Sequence, residues 1–297
     1  MEIFSPFKCR CFQSPDKKSA LADRPIKKWG SRRLCFSKMT LTENKREILI
    51  AAHRGASYAA LENTLPAFEL AFKENADFIE GDFWLTRDNE IVCIHDSNTK
   101  RISKGKYNLN IRFSDLADIK NLHSLSIPTL QEILQIIPSG KGIIIEIKDN
   151  REAFVKKLVE ILNHSSVQSD MIRIIAFKPL SVRQIKRYLP HIKVYLLFGW
   201  YFSTKKYLIS YAQRRLIKKL KTVVCDGVDL NASSYIDANL VKYLRKNKFD
   251  ICTYNVDHIA DAELLVSLGV DIITTNSPGQ IRGHIATILK NLNSLST

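Results

Sequence analysis

Gly142-Ile143-Ile144-Ile145-Glu146-Ile147-Lys148 is apolar and β-branched until its last residues, where an acid and a base enter. A run this short and this rich in Ile predicts a strand covered on both faces, as in a parallel sheet flanked by helices. Upstream, Ile48–His53, Phe78–Leu85 and Ile91–His95 have strand character; downstream, Ile172–Phe177, Val194–Phe198, Gly227–Leu230, Asp250–Asn255 and Asp271–Thr275 repeat it. Helical periodicity separates most of them, as in Asn63–Glu74, Thr129–Ile137, Arg151–Asn163, Leu180–Tyr188 and Ala238–Lys246. Only a short turn around Thr86-Arg87-Asp88-Asn89 parts the second strand from the third, so those two form a local excursion. Nine strands alternating with helices predict an α/β chain folded as one (β/α)8 TIM-type barrel domain over residues 46–297. An open doubly wound sheet is the competing architecture, but no Gly-rich phosphate loop opens the first helix.

The chain has 297 residues, 45% of them apolar and 25% charged, with a net charge of +15, which suits a globular protein with one large core. Residues 1–40 hold ten Lys or Arg against three Asp or Glu, so the remainder is only moderately basic on average. Residues 1–45 mix Lys, Arg, Ser and Pro without periodicity and read as a flexible basic extension; Met39, near its end, would remove it if translation began there. No motif of a nucleic-acid module is present, and the basic tail is not interleaved with stacking aromatics, so no nucleic-acid partner is expected. No apolar stretch approaches the roughly 20 residues that span a bilayer, and no secretory signal is apparent. Cys93, Cys225 and Cys252 lie in apolar runs as small hydrophobes, and Cys9 and Cys11 lack a second pair at zinc spacing, so a reducing cytoplasm is the expected location.

Barrel enzymes carry their chemistry at the carboxyl ends of the strands. Here the first strand ends in His53-Arg54-Gly55, the second carries Glu80-Gly81-Asp82, the third ends in His95-Asp96 and the fourth in Glu146-Ile147-Lys148. Alternation puts Glu80 with Asp82, and Glu146 with Lys148, on shared faces. Taken singly, such an acid is more often an N-cap or a rim salt bridge, and such a His a hydrogen-bonded structural residue. Four strands supplying them together is a different matter. Three partly buried carboxylates cost several kcal/mol per uncompensated ion, more than one Lys offsets, and a hard divalent cation, Mg²⁺ or Ca²⁺, resolves that. The Arg54 fork matches phosphate, and Lys148 beside acids suits a phosphoryl oxygen.

With Glu62-Asn63-Thr64, Ala67-Phe68, Thr86-x-Asp88, Pro128-Thr129-Leu130, Tyr254-Asn255-Val256-Asp257 and Gly269 to Thr274, these motifs resemble the glycerophosphodiester phosphodiesterases, from Ile48 to Ile281. The resemblance implies a TIM-type barrel in which Glu80, Asp82 and Glu146 hold one divalent cation. It implies His53 and His95 as general acid and base, Arg54 and Lys148 as phosphate ligands, and Glu62, Asn63 and Tyr254 shaping the mouth. The substrate would be a small glycerophosphodiester, hydrolysed to glycerol 3-phosphate and an alcohol. Leu61, Gly81, Tyr254 and Asn276 stand where the family commonly has Pro, an apolar residue, Trp and Asp; Gly81 is read as added backbone freedom and Tyr254 as an altered aromatic wall. Two further readings stand beside this one. A lysophospholipase D-type phosphodiesterase would touch an anionic membrane surface weakly through the basic tail and Phe198-Gly199-Trp200-Tyr201-Phe202. A silent phosphodiester-binding barrel would not need both His and all three acids.

Overall fold

A computed structural model of the chain describes residues 48–199, 206–232 and 236–294. The expected extension over residues 1–45, with Met39 and Cys9, Cys11 and Cys35, lies outside the described residues, as do Trp200, Tyr201 and Phe202.

The strands are β1 (Leu49–His53), β2 (Phe78–Leu85), β3 (Ile91–Cys93), β4 (Gly142–Ile147), β5 (Ile172–Ala176), β6 (Lys193–Phe198), β7 (Gly227–Asn231), β8 (Asp250–Tyr254) and β9 (Ile272–Thr275). Between them run α1 (Leu65–Lys73), α2 (Leu116–Lys120), α3 (Leu130–Gln135), α4 (Glu152–Asn163), α5 (Pro179–Tyr188), α6 (Lys206–Leu220), α7 (Ala238–Lys246) and α8 (Ile259–Leu268), and α9 (Pro278–Ser294) closes the order. Eight strands pair in parallel in the order β1-β9-β8-β7-β6-β5-β4-β2, and β1 pairs with β2 to close the ring. β3 lies outside it, antiparallel to β2. The barrel and its excursion are therefore those the strand pattern predicts, and the open sheet is excluded.

Side-chain parity explains where the core sits. One face of each strand points into the ring, where Ala51, Phe78, Ile144, Ile175, Tyr195, Leu197, Cys252 and Ile272 fill the floor. The opposite faces, such as Ile143, Ile145 and Ile147 of β4, pack against the helices in the larger outer core. Gly142 stands in register with Phe78, and a Cβ there would lie 2.4 Å from the ring, so the absent side chain is what admits the ring to the floor. A third cluster, including Val92, Ile94, Ile111 and Ile119, roots the long β3–β4 connection on the barrel.

Helix starts follow their caps. α1 begins at Leu65 rather than Asn63, because Asn63 is left-handed (φ 58°) and Thr64 extended, and Pro66 fits the first turn. α3 starts after Thr129, whose hydroxyl accepts from Glu132 N while Glu132 reaches back to Thr129 N, a capping box.

Candidate active site

β2 and β4 aim the acids. On the inner face of β2, Phe78 belongs to the floor and Glu80 and Asp82 to the mouth; on β4, Ile144 and Glu146 repeat that change in register, with Asp82 paired to Glu146. Glu80, Asp82 and Glu146 are all buried, and their ligand oxygens lie within 4.8 Å of one another. Lys148 stands between two of them, its Nζ 2.9 Å from Asp82 Oδ1 and 2.5 Å from Glu146 Oε1. Glu80 Oε2 accepts from Arg54 N at 3.0 Å, while Glu80 Oε1 is buried without a partner.

The electrostatics follow. Burial, then the charges of Asp82 and Glu146, push Glu80 well above the usual carboxylate range. Burial and Asp82 push Glu146 up to about 7. Burial also opposes ionisation of Asp82, but Lys148 and Arg54 outweigh it and hold that carboxyl low. The cluster thus has more acid than its two cations neutralise. An orphaned oxygen and two carboxyls reluctant to ionise, all facing one point, fit a hard divalent cation.

Gly55, at φ +83°, lets the β1–α1 turn approach α1 so closely that a Cβ would stand 2.6 Å from the Ala67 carbonyl carbon. Arg54 (φ 56°) places its Nη1 3.1 Å from Glu62 Oε1 and its Nε 3.1 Å from Asp82 Oδ2. Asn63 Nδ2 donates to Asp82 Oδ2 at 2.9 Å, and Cys93 donates its thiol to Asn63 Oδ1 at 3.1 Å. Cys93 is thus more than a small hydrophobe, and it accounts for Gly81. A Cβ at Gly81 would lie 2.9 Å from the Cys93 sulfur, so crowding by Cys93, not backbone freedom, is the reason for that glycine.

Each imidazole is held at Nδ1. His53 Nδ1 lies 2.9 Å from Asn276 Oδ1. Asn276 Nδ2 donates to Asp257 Oδ2 at 2.7 Å, so its amide oxygen faces His53 and can only accept. His53 therefore carries its proton on Nδ1 and has Nε2 as its acceptor atom. Ser57 Oγ donates to the same Asn276 oxygen at 2.7 Å. His95 Nδ1 lies 2.6 Å from Asp96 Oδ1, and Arg101 ties Asp96 to Glu62 through bonds of 2.7 Å to each. Burial, then the Arg54 charge, lowers the His53 pKa against the pull of Asp82; burial lowers that of His95 too, with Arg54 and Lys148 on the same side and Asp82 and Asp96 opposing. Tyr254 ends β8, half-buried against the floor cluster.

The structure brings the named residues to one end of the ring. It also gives roles there to Asp96, Arg101, Asp257 and Asn276, to which the motifs assigned none. Three of these were visible inside motifs or as a departure from them. Arg101 had no such mark, since nothing separates it in sequence from the loop cations Lys100 and Lys104.

This closed parallel barrel, with acids, imidazoles and cations gathered at one end, has the layout of a barrel enzyme. The family model described as glycerophosphoryl diester phosphodiesterase family matches residues 53–280, and the chain belongs to that family. It is 29% identical over 251 residues to the glycerophosphodiester phosphodiesterase of Caldanaerobacter subterraneus, covering 77% of this chain and 94% of that one. It is 28% identical over 260 residues to that of Bacillus subtilis, covering 78% and 84%. In fold it is similar to an Oleispira antarctica phosphodiesterase solved with its product sn-glycerol-3-phosphate, with a TM-score of 0.68 and 23% identity over 80% of this chain and 96% of that one.

Proposed function

We propose that the chain hydrolyses small glycerophosphodiesters to glycerol 3-phosphate and an alcohol, with one divalent cation at Glu80, Asp82 and Glu146. The observation that carries this reading is the buried triad, whose oxygens lie within 4.8 Å of one another with Glu80 Oε1 unpartnered. Bound there, Mg²⁺ or Ca²⁺ would offset the acids and polarise a phosphoryl oxygen. Arg54 and Lys148 are the cations of the mouth and supply phosphate contacts. Glu62, Asn63 and Arg101 hold Arg54, Asp82 and Asp96 in place, and Tyr254 forms part of the wall.

Proton transfer falls to the two imidazoles. His53, whose Nδ1–H faces a neutral amide, presents Nε2 as a free acceptor, and it takes the proton from the hydroxyl or water that attacks phosphorus. His95, whose Nδ1–H faces the Asp96 carboxylate, is the ring better able to carry charge, and it protonates the departing alcohol. Residues 46–297 form the catalytic domain in this reading, and the basic extension is dispensable for small substrates.

The reading is tested by release of glycerol 3-phosphate from glycerophosphocholine, glycerophosphoethanolamine or lysophospholipid, with Mg²⁺, Ca²⁺ or chelator. Turnover of the two small diesters that chelator abolishes is the expected result. Turnover of lysophospholipid alone would replace the proposed substrate class, and turnover that survives chelation would remove the cation from the site.

A further inference from the structure

The charge of the barrel domain is concentrated in one sector. Residues 178–248 hold 16 Lys or Arg against 3 Asp or Glu, a net +13, whereas residues 41–177 carry −2 and residues 249–297 carry −3. The basic segment is α5, α6 and α7 with the strands between them, three successive helices of the outer ring. The moderate average over the domain conceals this.

Each of the three acids is already engaged or buried. Asp226 pairs with Lys186 at 2.9 Å, Asp229 is buried within the barrel, and Asp237 accepts from Leu240 N at the start of α7. Exposed Arg214, Arg215, Lys218, Lys221, Lys242 and Lys246 make no ion pair among the described residues. Arg214 and Lys218, and likewise Lys242 and Lys246, stand four apart on one helix face, where like charges repel. Such repulsion is relieved by an anionic surface outside the protein. Apolar side chains are exposed in the same sector: Leu180 of α5 (63% exposed), Tyr211 of α6 (57%) and Val224 after α6 (73%).

We propose that the α5–α6–α7 sector docks the protein on the anionic surface of a phospholipid bilayer. Lys and Arg meet the negatively charged headgroups, and Leu180, Tyr211 and Val224 sit at headgroup level. The exposed apolar side chains favour a bilayer over nucleic acid, whose phosphates would meet the cations but leave Leu180 and Val224 without a partner. The cations of this surface lie on helices of the outer ring, and the docking does not depend on the reaction performed at the mouth.

The deciding experiment is co-sedimentation of the full chain with vesicles of phosphatidylcholine alone or with about a third phosphatidylserine, since juxtamembrane basic residues act through the anionic fraction. The triple variant Arg214→Glu, Arg215→Glu, Lys218→Glu is compared with Lys73→Glu, Lys104→Glu, Lys156→Glu, which changes net charge equally elsewhere. Both sets are checked by circular dichroism for an unchanged fold. Expected are binding that needs phosphatidylserine and weakens in about 0.5 M salt, at least a tenfold loss in the first variant, and less than a twofold loss in the second. Equal losses in both sets, no loss in the first, or binding of duplex DNA without binding of vesicles would overturn the proposal.

Discussion

Replacing Lys148 with Ala separates two ways of neutralising the buried acids. Its ammonium lies 2.9 Å from Asp82 and 2.5 Å from Glu146, and its side chain is only 15% exposed. Removing one partner of a buried ion pair costs about 3–5 kcal/mol, because the remaining charge has no compensation. For a domain of this size, at roughly 2–4 °C per kcal/mol, the melting midpoint in chelator should fall by roughly 6–20 °C. A cation at a hundred times its dissociation constant contributes about 2.7 kcal/mol to a chain that binds it only when folded. In the variant that cation also supplies the charge that Lys148 supplied, so Mg²⁺ or Ca²⁺ should raise the midpoint more than in the parent protein. Scanning calorimetry at pH 8 and low ionic strength, with chelator and with saturating cation, measures both shifts. A variant that melts within about 2 °C of the parent in chelator, or gains no more than the parent from the cation, would show that Lys148 and the ion do not share these carboxylates.

The same acids set a pH dependence. Glu146 is held at about 7 and Glu80 well above its ordinary 4.5, so between those values the metal-free folded chain binds more protons than the unfolded one. The stability these two groups contribute is present below about pH 4.5 and is lost as pH rises through 7, while affinity for a divalent cation rises over the same interval; calorimetric titration near pH 6.5 in buffers of different ionisation enthalpy should detect proton release, and none would refute it. His53→Ala and His95→Ala should each lower turnover of glycerophosphocholine on the order of 10²- to 10⁴-fold while leaving cation-induced stabilisation in place; activity near that of the parent would remove the ring from the reaction. Gly55→Ala forces a side chain into a left-handed site against Ala67 and should cost more than about 1 kcal/mol in urea unfolding, with an unchanged midpoint counting against the packing described.

The barrel is legible in sequence because its strands are hydrophobic on both faces and each of the two parities serves a different layer. In β4, Ile143, Ile145 and Ile147 serve the outer core, while Ile144 and Glu146 mark the passage from floor to mouth. The β2–β3 excursion is equally readable, since the five residues 86–90 cannot hold a crossover helix. What periodicity does not reveal is contact between distant turns. Asn63 reads as the first residue of a helix, yet its left-handed backbone turns its amide onto Asp82. Gly81 reads as freedom, yet it is a space filled by a cysteine 12 residues away. Arg101 is an ordinary loop cation until the fold sets Glu62 and Asp96 on either side of it.

The first strand of the chain meets the last where β1 pairs with β9, and that seam divides the site by its history along the chain. All three acids come from residues 80–146, so the carboxylate cluster is complete once β2 and β4 are side by side. His53 takes its orientation from Asn276, 223 residues later and beyond the last strand. Closing a loop of that length carries a larger entropic cost than the local contacts around the acids. A nascent or truncated barrel lacking β9 would therefore hold the acids and His95, set by its neighbour Asp96, while His53 stayed unset, and the second imidazole would be placed as the final act of folding.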